Sequence, residues 1–355
     1  MTVELDGGRG EGGGQILRTA LALSILTRRP MRMHRIRAGR AKPGLRRQHL
    51  ACVEAAARLS GARTVGASVG SQELAFEPGE TTADAHLEID IGSAGSTSLV
   101  VQTILLPAVL LGGARTFTVH GGTHNPMAPP FDFLDRVFVP HLRAMGADVE
   151  LVLDRHGFAT GGASQASHDD PSPHRGRLTV RVGGAGALRP IELLELGPIR
   201  RRRAVATIAR LPTHVAEREL GRVHDRLGFA REDCETLELS HPGTANVLTI
   251  EVEHASGWEL VTAFGERGLR AELVADRACD EMAAFLGANV PVGEHLADQL
   301  LLPLALAGGG AFRCAPLSPH ATTNIDTIRM FLDIQITVEE RERERDAIVR
   351  VGQGW

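Results

Sequence analysis

Six of the eight residues from Gly7 to Gly14 are glycine, in the run Asp6-Gly-Gly-Arg-Gly-Glu-Gly-Gly-Gly-Gln15. Glycine admits positive φ and lets a backbone come close to a ligand. After Glu11 no acidic residue occurs until Glu54, and the interval holds Arg18, Arg28, Arg29, Arg32, Arg35, Arg37, Arg40, Lys42, Arg46 and Arg47. The whole chain has formal charge −4, so this positive stretch is local. A backbone cradle beside dense guanidinium groups suits a phosphate-rich ligand. Glu11 is the odd member, because a carboxylate repels phosphate unless a divalent cation lies between them. It is a candidate ligand for Mg²⁺ or Mn²⁺. A carboxylate facing the dipole of a following helix explains it equally well.

Gly8-Arg-Gly-Glu-Gly-Gly13 satisfies G-x-G-x-x-G, yet the acidic residue a dinucleotide fold needs about twenty positions later is missing. No G-K-[ST] follows, so the segment is not a P-loop. Arg37-Ala-Gly-Arg-Ala-Lys-Pro-Gly-Leu-Arg-Arg-Gln-His49 forms a second cradle before a helix, and its arginines can fork onto phosphate. An exposed basic loop is the plain alternative, disfavoured by the absence of compensating acids. Ile91-Gly-Ser-Ala-Gly-Ser-Thr97 leads into an apolar helix, as an anion site, an N-cap at Ser96 or Thr97, or both. His120 and His124 are four apart but off any predicted helix, so no metal site is read there. Ser318-Pro-His-Ala-Thr-Thr-Asn324 places His320 in a polar loop before a helix around Ile325–Leu332. Spacing alone does not select this histidine among fifteen.

The elements that must hold these groups repeat. Gly14–Leu26, Val101–Leu111 and Asp298–Ala307 are similar apolar helices that each begin near a glutamine. A second helix type, Gln48–Ala62 and Phe133–Ala147, ends in small residues. Alternating strands are expected at Leu87–Ile91, Arg177–Val182, Val247–Val252 and Ile334–Val338. These recurrences predict a duplicated or triplicated α/β unit. The segment Ile191–Ala278 has its own strand and helix pattern and reads as a small inserted domain. The tail Glu339–Asp346 reads as a solvated hairpin turn between two strands, and the Arg200–Arg203 run as a further ligand contact or, by default, a solvated strand end.

Composition sets limits. Cys52, Cys234, Cys279 and Cys314 are scattered without a C-x-x-C pair, against a zinc site or a disulfide framework and in keeping with a reducing cytoplasm. No signal peptide is expected, and the apolar stretches near Leu99–Leu111 and Leu300–Ala307 are too short to span a bilayer. Lys42 is the only lysine and tyrosine is absent, so a lysine nucleophile must be Lys42 or nothing.

Taken in order, the glycine run through Arg18, Ile36-Arg-Ala-Gly-Arg-Ala-Lys-Pro-Gly-Leu45, Gln48-His49, Gly92-Ser-Ala-Gly95, Gly121-Gly-Thr123 and His295-Leu-Ala-Asp-Gln299 resemble the RNA 3'-terminal phosphate cyclases over essentially the whole chain. The resemblance implies an α/β (α+β) fold of three repeated units, each a four-stranded sheet with two helices, like the core of the enolpyruvyl transferases. It also implies a small inserted α/β domain. The corresponding limits are 1–186 and 279–355 for the core and 187–278 for the insert. The implied substrates are ATP and an RNA 3'-phosphate end, with Mg²⁺ or Mn²⁺. The product is a 2',3'-cyclic phosphate, formed through a histidine-AMP adduct and an RNA-(3')pp(5')A intermediate.

His320-Ala-Thr-Thr-Asn324 matches the family's nucleophile pattern. The resemblance further makes Glu11 the metal ligand and Arg18 and Arg40 catalytic cations. Arg18, Arg37, Arg40, Lys42 and Gln48 become RNA or phosphate contacts. Gln102, Pro129, Pro130, His295, Asp298 and Gln299 join His320 around ATP. A cytoplasmic monomer or homodimer is expected. Two departures stand out: an aromatic residue is usual at His295, and a G-F-x-P…G-G-G loop reads Gly157-Phe-Ala-Thr-Gly-Gly-Ala163 here. The competing reading is a non-catalytic cyclase-like scaffold for RNA processing or ribosome assembly, which lacks the histidine and several arginines. An enolpyruvyl transferase leaves the insert and the His320 pattern unexplained, and a lysine-based nucleotidyl transferase lacks K-x-D-G around Lys42.

Overall fold

The computed structural model describes residues 1–10, 13–82, 84–158, 175–184, 186–341, 343 and 345–352. The first unit runs β1 (Val3–Asp6), α1 (Gln15–Thr27), β2 (Met31–His34), α2 (Arg47–Ser60), β3 (Arg63–Val65) and β4 (Leu74–Glu77). The second runs β5 (His86–Asp90), α3 (Thr97–Leu111), β6 (Arg115–Gly121), a π-helical turn Phe133–Phe138 continued by α4 (Val139–Ala144), β7 (Val149–Arg155) and β8 (Gly176–Val182). Next come β9 (Glu192–Leu193), β10 (Ile199–Ala209), α5 (His214–Leu227), β11 (Cys234–Glu238), β12 (Ala245–His254), β13 (Gly257–Phe264) and α6 (Ala271–Ala288). The chain closes with α7 (Glu294–Leu306), β14 (Gly310–Cys314), α8 (Pro319–Phe331), β15 (Gln335–Arg341) and β16 (Asp346–Gly352).

Three sheets share one topology. Their orders are β1-β2-β4-β3, β5-β6-β8-β7 and β9-β14-β16-β15. In each, the first two strands are parallel and the rest antiparallel, with Val3 opposite Met31, Leu87 opposite Phe117 and Glu192 opposite Ala311. The expected repeat is therefore a βαβαββ unit used three times. In the third, the segment from β10 to α6 stands between the first strand and its crossover helix. Its sheet, β11-β10-β12-β13, differs, since β12 pairs with the first strand, β10, and not with the second. Its own core joins Ala206, Ile250, Phe229 and Met282.

The helices of the three units pack on one another as well as on their sheets. α1 meets α2, α3 and α8, and α7 meets α8. α3 is buried almost all round, which explains its unbroken apolar run. Full burial of a side chain such as Leu21 contributes about 1.5–3 kcal/mol. α1 stops where Arg28 turns left-handed at φ 53° and α2 where Gly61 does at φ 58°. The tail differs from the sequence expectation. β15 continues through Glu339–Arg341, and Arg341 and Arg313 both bond the buried Asp346. A paired carboxylate at the start of β16 thus carries the strand into what the charge alternation presents as a turn. Phe133–Ala147 is also not one regular α-helix, since its first six residues are π-helical.

Candidate active site

His320 is the second residue of α8, not part of a loop ahead of it. The helix begins six residues earlier than its apolar pattern suggests because Ser318 caps it: Ser318 Oγ accepts from the Ala321 amide at 3.3 Å and Pro319 occupies the first turn. His320 and Asn324, one turn apart, face the N-terminal turn of α1 and the first turns of α7. Gln15 Oε1 lies 3.0 Å from His320 Nδ1. The other end of the Gln15 amide, Nε2, donates to Asp298 Oδ1. Asn324 Nδ2 donates to the same carboxylate oxygen at 3.0 Å and to the Asp298 carbonyl at 3.1 Å. Thr19 Oγ1 in turn donates to Asn324 Oδ1 at 2.9 Å.

This chain of bonds assigns a tautomer. Asp298 accepts from Gln15 Nε2, so Oε1 is the end that faces His320, and an oxygen can only accept. A proton therefore sits on Nδ1, between the ring and Gln15 Oε1. Burial pushes the Asp298 carboxyl above its ordinary value, against the opposing pull of Asn324, Gln15, His320 and Arg18. Burial likewise lowers the Arg18 guanidinium, while Cys52 and Asp298 hold it up. A cavity of about 70 Å³ lies here, walled by Gln15, Arg18, Gln102, Asp298, Gln299 and Asn324. Gln299 Oε1 is buried and unpartnered among the described residues, an acceptor that a ligand hydroxyl would satisfy. The structure thus gathers Arg18, Gln102, Asp298 and Gln299 on one cavity, with His320 one hydrogen bond from its wall.

The glycines are required by what crosses them. Gly10 has φ 58°, and a Cβ there would fall 2.2 Å from Thr323 Oγ1 of α8. A Cβ on Gly14 would fall 2.5 Å from His49 Nε2 and 3.0 Å from Arg18 Nη1. Gly10 is therefore pressed against α8 and Gly14 against α2. Arg40 is exposed, and its Nη2 would lie 3.4 Å from a Cβ on Gly13. Arg37 braces its own loop by donating to the carbonyls of Lys42 at 2.8 Å and Gly44 at 3.0 Å. Lys42 itself is exposed. Burial pushes the His49 ring down to about 3, helped by Arg37, Arg18 and Arg46, so it is neutral at physiological pH.

Gln48 ties the two basic and glycine-rich segments together. Its Oε1 accepts from the Ser96 amide at 2.9 Å, and Arg47 Nη1 donates to the Gly92 carbonyl at 2.8 Å. Ser96 also caps α3, so this loop fulfils its capping role with the Ser96 amide already engaged. Ser98 Oγ donates to the Pro129 carbonyl at 2.6 Å; Pro129 is half-buried and Pro130 buried. His295 is exposed on α7 beside Glu281. His120 pairs with Glu88, and the buried His124 with Asp132 and Thr123, which are structural roles. Arg203 bonds Glu235 within the fourth sheet, while Arg200 and Arg201 are exposed.

Glu11 lies outside the described residues, as does the altered loop from residue 159 onward. Among the described residues no three His, Cys, Asp or Glu side chains converge on a metal position. Gln15, Thr19 and Asn324 carry no role in the sequence reading. The signal for two of them was present, since Gln15 ends the glycine run and Asn324 closes the His320 pattern. A larger cavity of about 620 Å³ opens on the opposite face of α8, along Asp6, Arg9, Thr323 and Asp326. It contains neither His320 nor its partners, and the Arg9–Asp326 ion pair at 3.0 Å forms part of its wall.

The family described as RNA 3'-terminal phosphate cyclase matches residues 9–338. The chain is 47% identical over 354 residues to the RNA 3'-terminal phosphate cyclase of Ectopseudomonas mendocina, covering 99% of this chain and 98% of that protein. It is 48% identical over 337 residues to the protein of that name from Pseudomonas fluorescens, covering 94% and 93%. With the Koribacter versatilis protein of that name the identity is 43% over 341 residues, covering 96% and 92%.

Proposed function

The chain belongs to the RNA 3'-terminal phosphate cyclase family, and on that premise we propose that it adenylates an RNA 3'-phosphate through His320 and closes it to a 2',3'-cyclic phosphate. The observation that carries this reading is the bonded series Thr19, Asn324, Asp298, Gln15, His320 beside a cavity lined by Arg18 and Gln299. In that series Gln15 Oε1 holds the His320 ring at Nδ1.

In the first step Nε2 attacks the α-phosphorus of ATP, the bond to the bridging oxygen breaks, and pyrophosphate leaves with that electron pair. The imidazole becomes positive as the N–P bond forms. Its Nδ1–H stays on Gln15 Oε1, and the Asp298 carboxylate lies one bond beyond to balance the charge. Arg18, half-buried in the cavity wall, offsets charge on the transferring phosphoryl group. In the second step an oxygen of the RNA 3'-phosphate attacks the adenylate phosphorus, and imidazole leaves neutral. In the third, the 2'-hydroxyl gives up its proton to water as it attacks the activated 3'-phosphorus, and the bond to the bridging oxygen breaks so that AMP leaves with that electron pair. Only RNA supplies that hydroxyl.

Arg40, Lys42 and Gln48 are proposed to meet the RNA end, with Arg37 shaping their loop, and Gln102, Pro129, Pro130, His295, Asp298 and Gln299 to surround ATP. Glu11 is proposed to hold Mg²⁺ or Mn²⁺, which would neutralise phosphate charge. A cytoplasmic monomer or homodimer is proposed, with a core of 1–186 and 279–355 around an insert of 187–278, except that β9 (Glu192–Leu193) goes to the third core sheet it pairs in and α6, to Ala288, to the insert whose core Met282 joins. No helix among the described residues is long and apolar enough to cross a membrane.

The test is covalent labelling. Protein mixed with Mg²⁺ and ATP labelled at the α-phosphate should acquire acid-labile, alkali-stable label that His320→Ala lacks. No label in the wild type, with ATP binding demonstrated, favours the scaffold reading. Label in both proteins means that another residue is the nucleophile.

A further inference from the structure

The N-terminal turn of α7 carries charges that the adenylation steps leave unused. His295 is the second residue of that helix, and its side chain is 61% exposed. Its Nε2 lies 3.4 Å from Glu281 Oε1 of α6. Glu259 of β13 also acts on it, and Glu259 is 3% exposed. The Glu259 carboxyl bonds the amide of Gly293, the N-cap of α7, so closely that a Cβ on Gly293 would fall 2.3 Å from Glu259 Oε2. That Oε2 is buried and unpartnered among the described residues.

His295, Asp298, Gln299 and Leu302 share one face of α7 by their spacing, and the last three line the cavity beside His320. The rings of Phe133 and Phe138 are buried nearby, whereas the His295 side chain is exposed. Phe133 meets it edge-on, with centroids 6.5 Å apart.

Resting on the cyclase reading, in which His295 flanks the nucleobase, we propose that His295 is a proton-carrying base contact: its imidazolium, paired with Glu281, lies against the purine and makes nucleotide affinity fall as pH rises. A cation over an aromatic face is attracted by the ring, whereas a neutral imidazole retains only stacking. The groups that face His295 are Glu281 from α6, Glu259 from β13, Glu294 from its own helix and the uncharged Phe133. The Glu281 hydrogen bond, with the charges of Glu281 and Glu294, holds the ring above its ordinary value against its partial burial. Burial pushes Glu259 up to about 8, so near neutrality it is held as the acid and Glu281 is the principal charged partner.

The experiment is calorimetric binding of the α,β-methylene analogue of ATP, which the histidine cannot cleave. Wild type, His295→Phe and Glu281→Gln are compared in Mg²⁺ from about pH 6 to about pH 9, the range in which imidazole titrates. Taking each affinity relative to His295→Phe removes the ligand's own titration. The wild-type advantage should fall by about two- to fivefold across that range, and Glu281→Gln should move the fall to lower pH. A ratio that is constant with pH overturns the proposal and leaves the cyclase reading intact, provided His320 still takes the label. If the analogue binds the wild type at no pH, the nucleotide site itself is misplaced and both readings fall.

Discussion

Gln15→Leu separates the ordering of His320 from the binding of ATP. Leucine keeps most of the volume at the start of α1 but has neither Oε1 for His320 Nδ1, 3.0 Å away, nor Nε2 for Asp298. In the ground state the bond is between neutral groups and contributes about 0.5–1.5 kcal/mol. As the N–P bond forms, the ring becomes cationic and the same bond becomes charge-assisted, at about 1.5–3 kcal/mol. The strengthening, about 1–1.5 kcal/mol, acts on the transition state, so the rate of adduct formation should drop roughly 5- to 13-fold. The variant should bind ATP with nearly unchanged Kd, because Arg18, Gln102 and Gln299 still line the cavity. Single-turnover labelling from α-labelled ATP at saturating and limiting concentrations gives the rate and the apparent affinity separately. An unchanged rate, or a loss confined to affinity, refutes the claim that Gln15 holds the reactive tautomer.

Gly10→Ala forces φ 58° on an alanine and a Cβ onto Thr323 Oγ1; the left-handed conformation alone costs roughly 1–2 kcal/mol, read as a lower urea midpoint, and adding Thr323→Ala should recover part of the remainder. Glu259 has a folded-state value near 8, far above that of an unfolded glutamate, so the native state holds a proton that the unfolded chain releases between those values. Stability relative to Glu259→Gln should therefore be greatest in mild acid, decline as the pH rises to about 8 and level off above it; equal pH slopes for the two proteins in chemical denaturation would contradict this. Lys42→Arg changes an exposed side chain outside the His320 cavity and should leave adduct formation within about twofold; complete loss would revive a lysine nucleophile.

Periodicity and small-residue punctuation made the repeat legible, because each unit must present one apolar helix face to one sheet. The similar starts of α1, α3 and α7 carried that information locally. The start of α8 was misjudged because Ser318 and Pro319 define a helix end through a side-chain bond, whereas Ile325 and Phe331 define only its buried face. The end of β15 was misjudged for a related reason. Arg341 and Asp346 resemble a solvated charge run until Arg313, from another strand, joins them over a buried carboxylate. The Arg37–His49 segment was legible as a cationic loop. Its division of labour was not, since only the fold turns Arg37 inward onto Lys42 and Gly44.

By itself the sequence determined composition-level and motif-level facts: a glycine run followed by ten cations without an acid, the only lysine at position 42, and a histidine four residues before an asparagine. These depend on residue type and spacing, which a linear chain displays in full. The tertiary structure decided which of those groups meet. Gln15, Asp298 and His320 are separated by 283 and 305 positions along the chain from Gln15. They become one hydrogen-bonded series only because α1 packs against α8 and α7 against α8. Which histidine nitrogen holds the proton follows from that packing, since hydrogen-bond direction is a property of atoms in contact and not of residues in order.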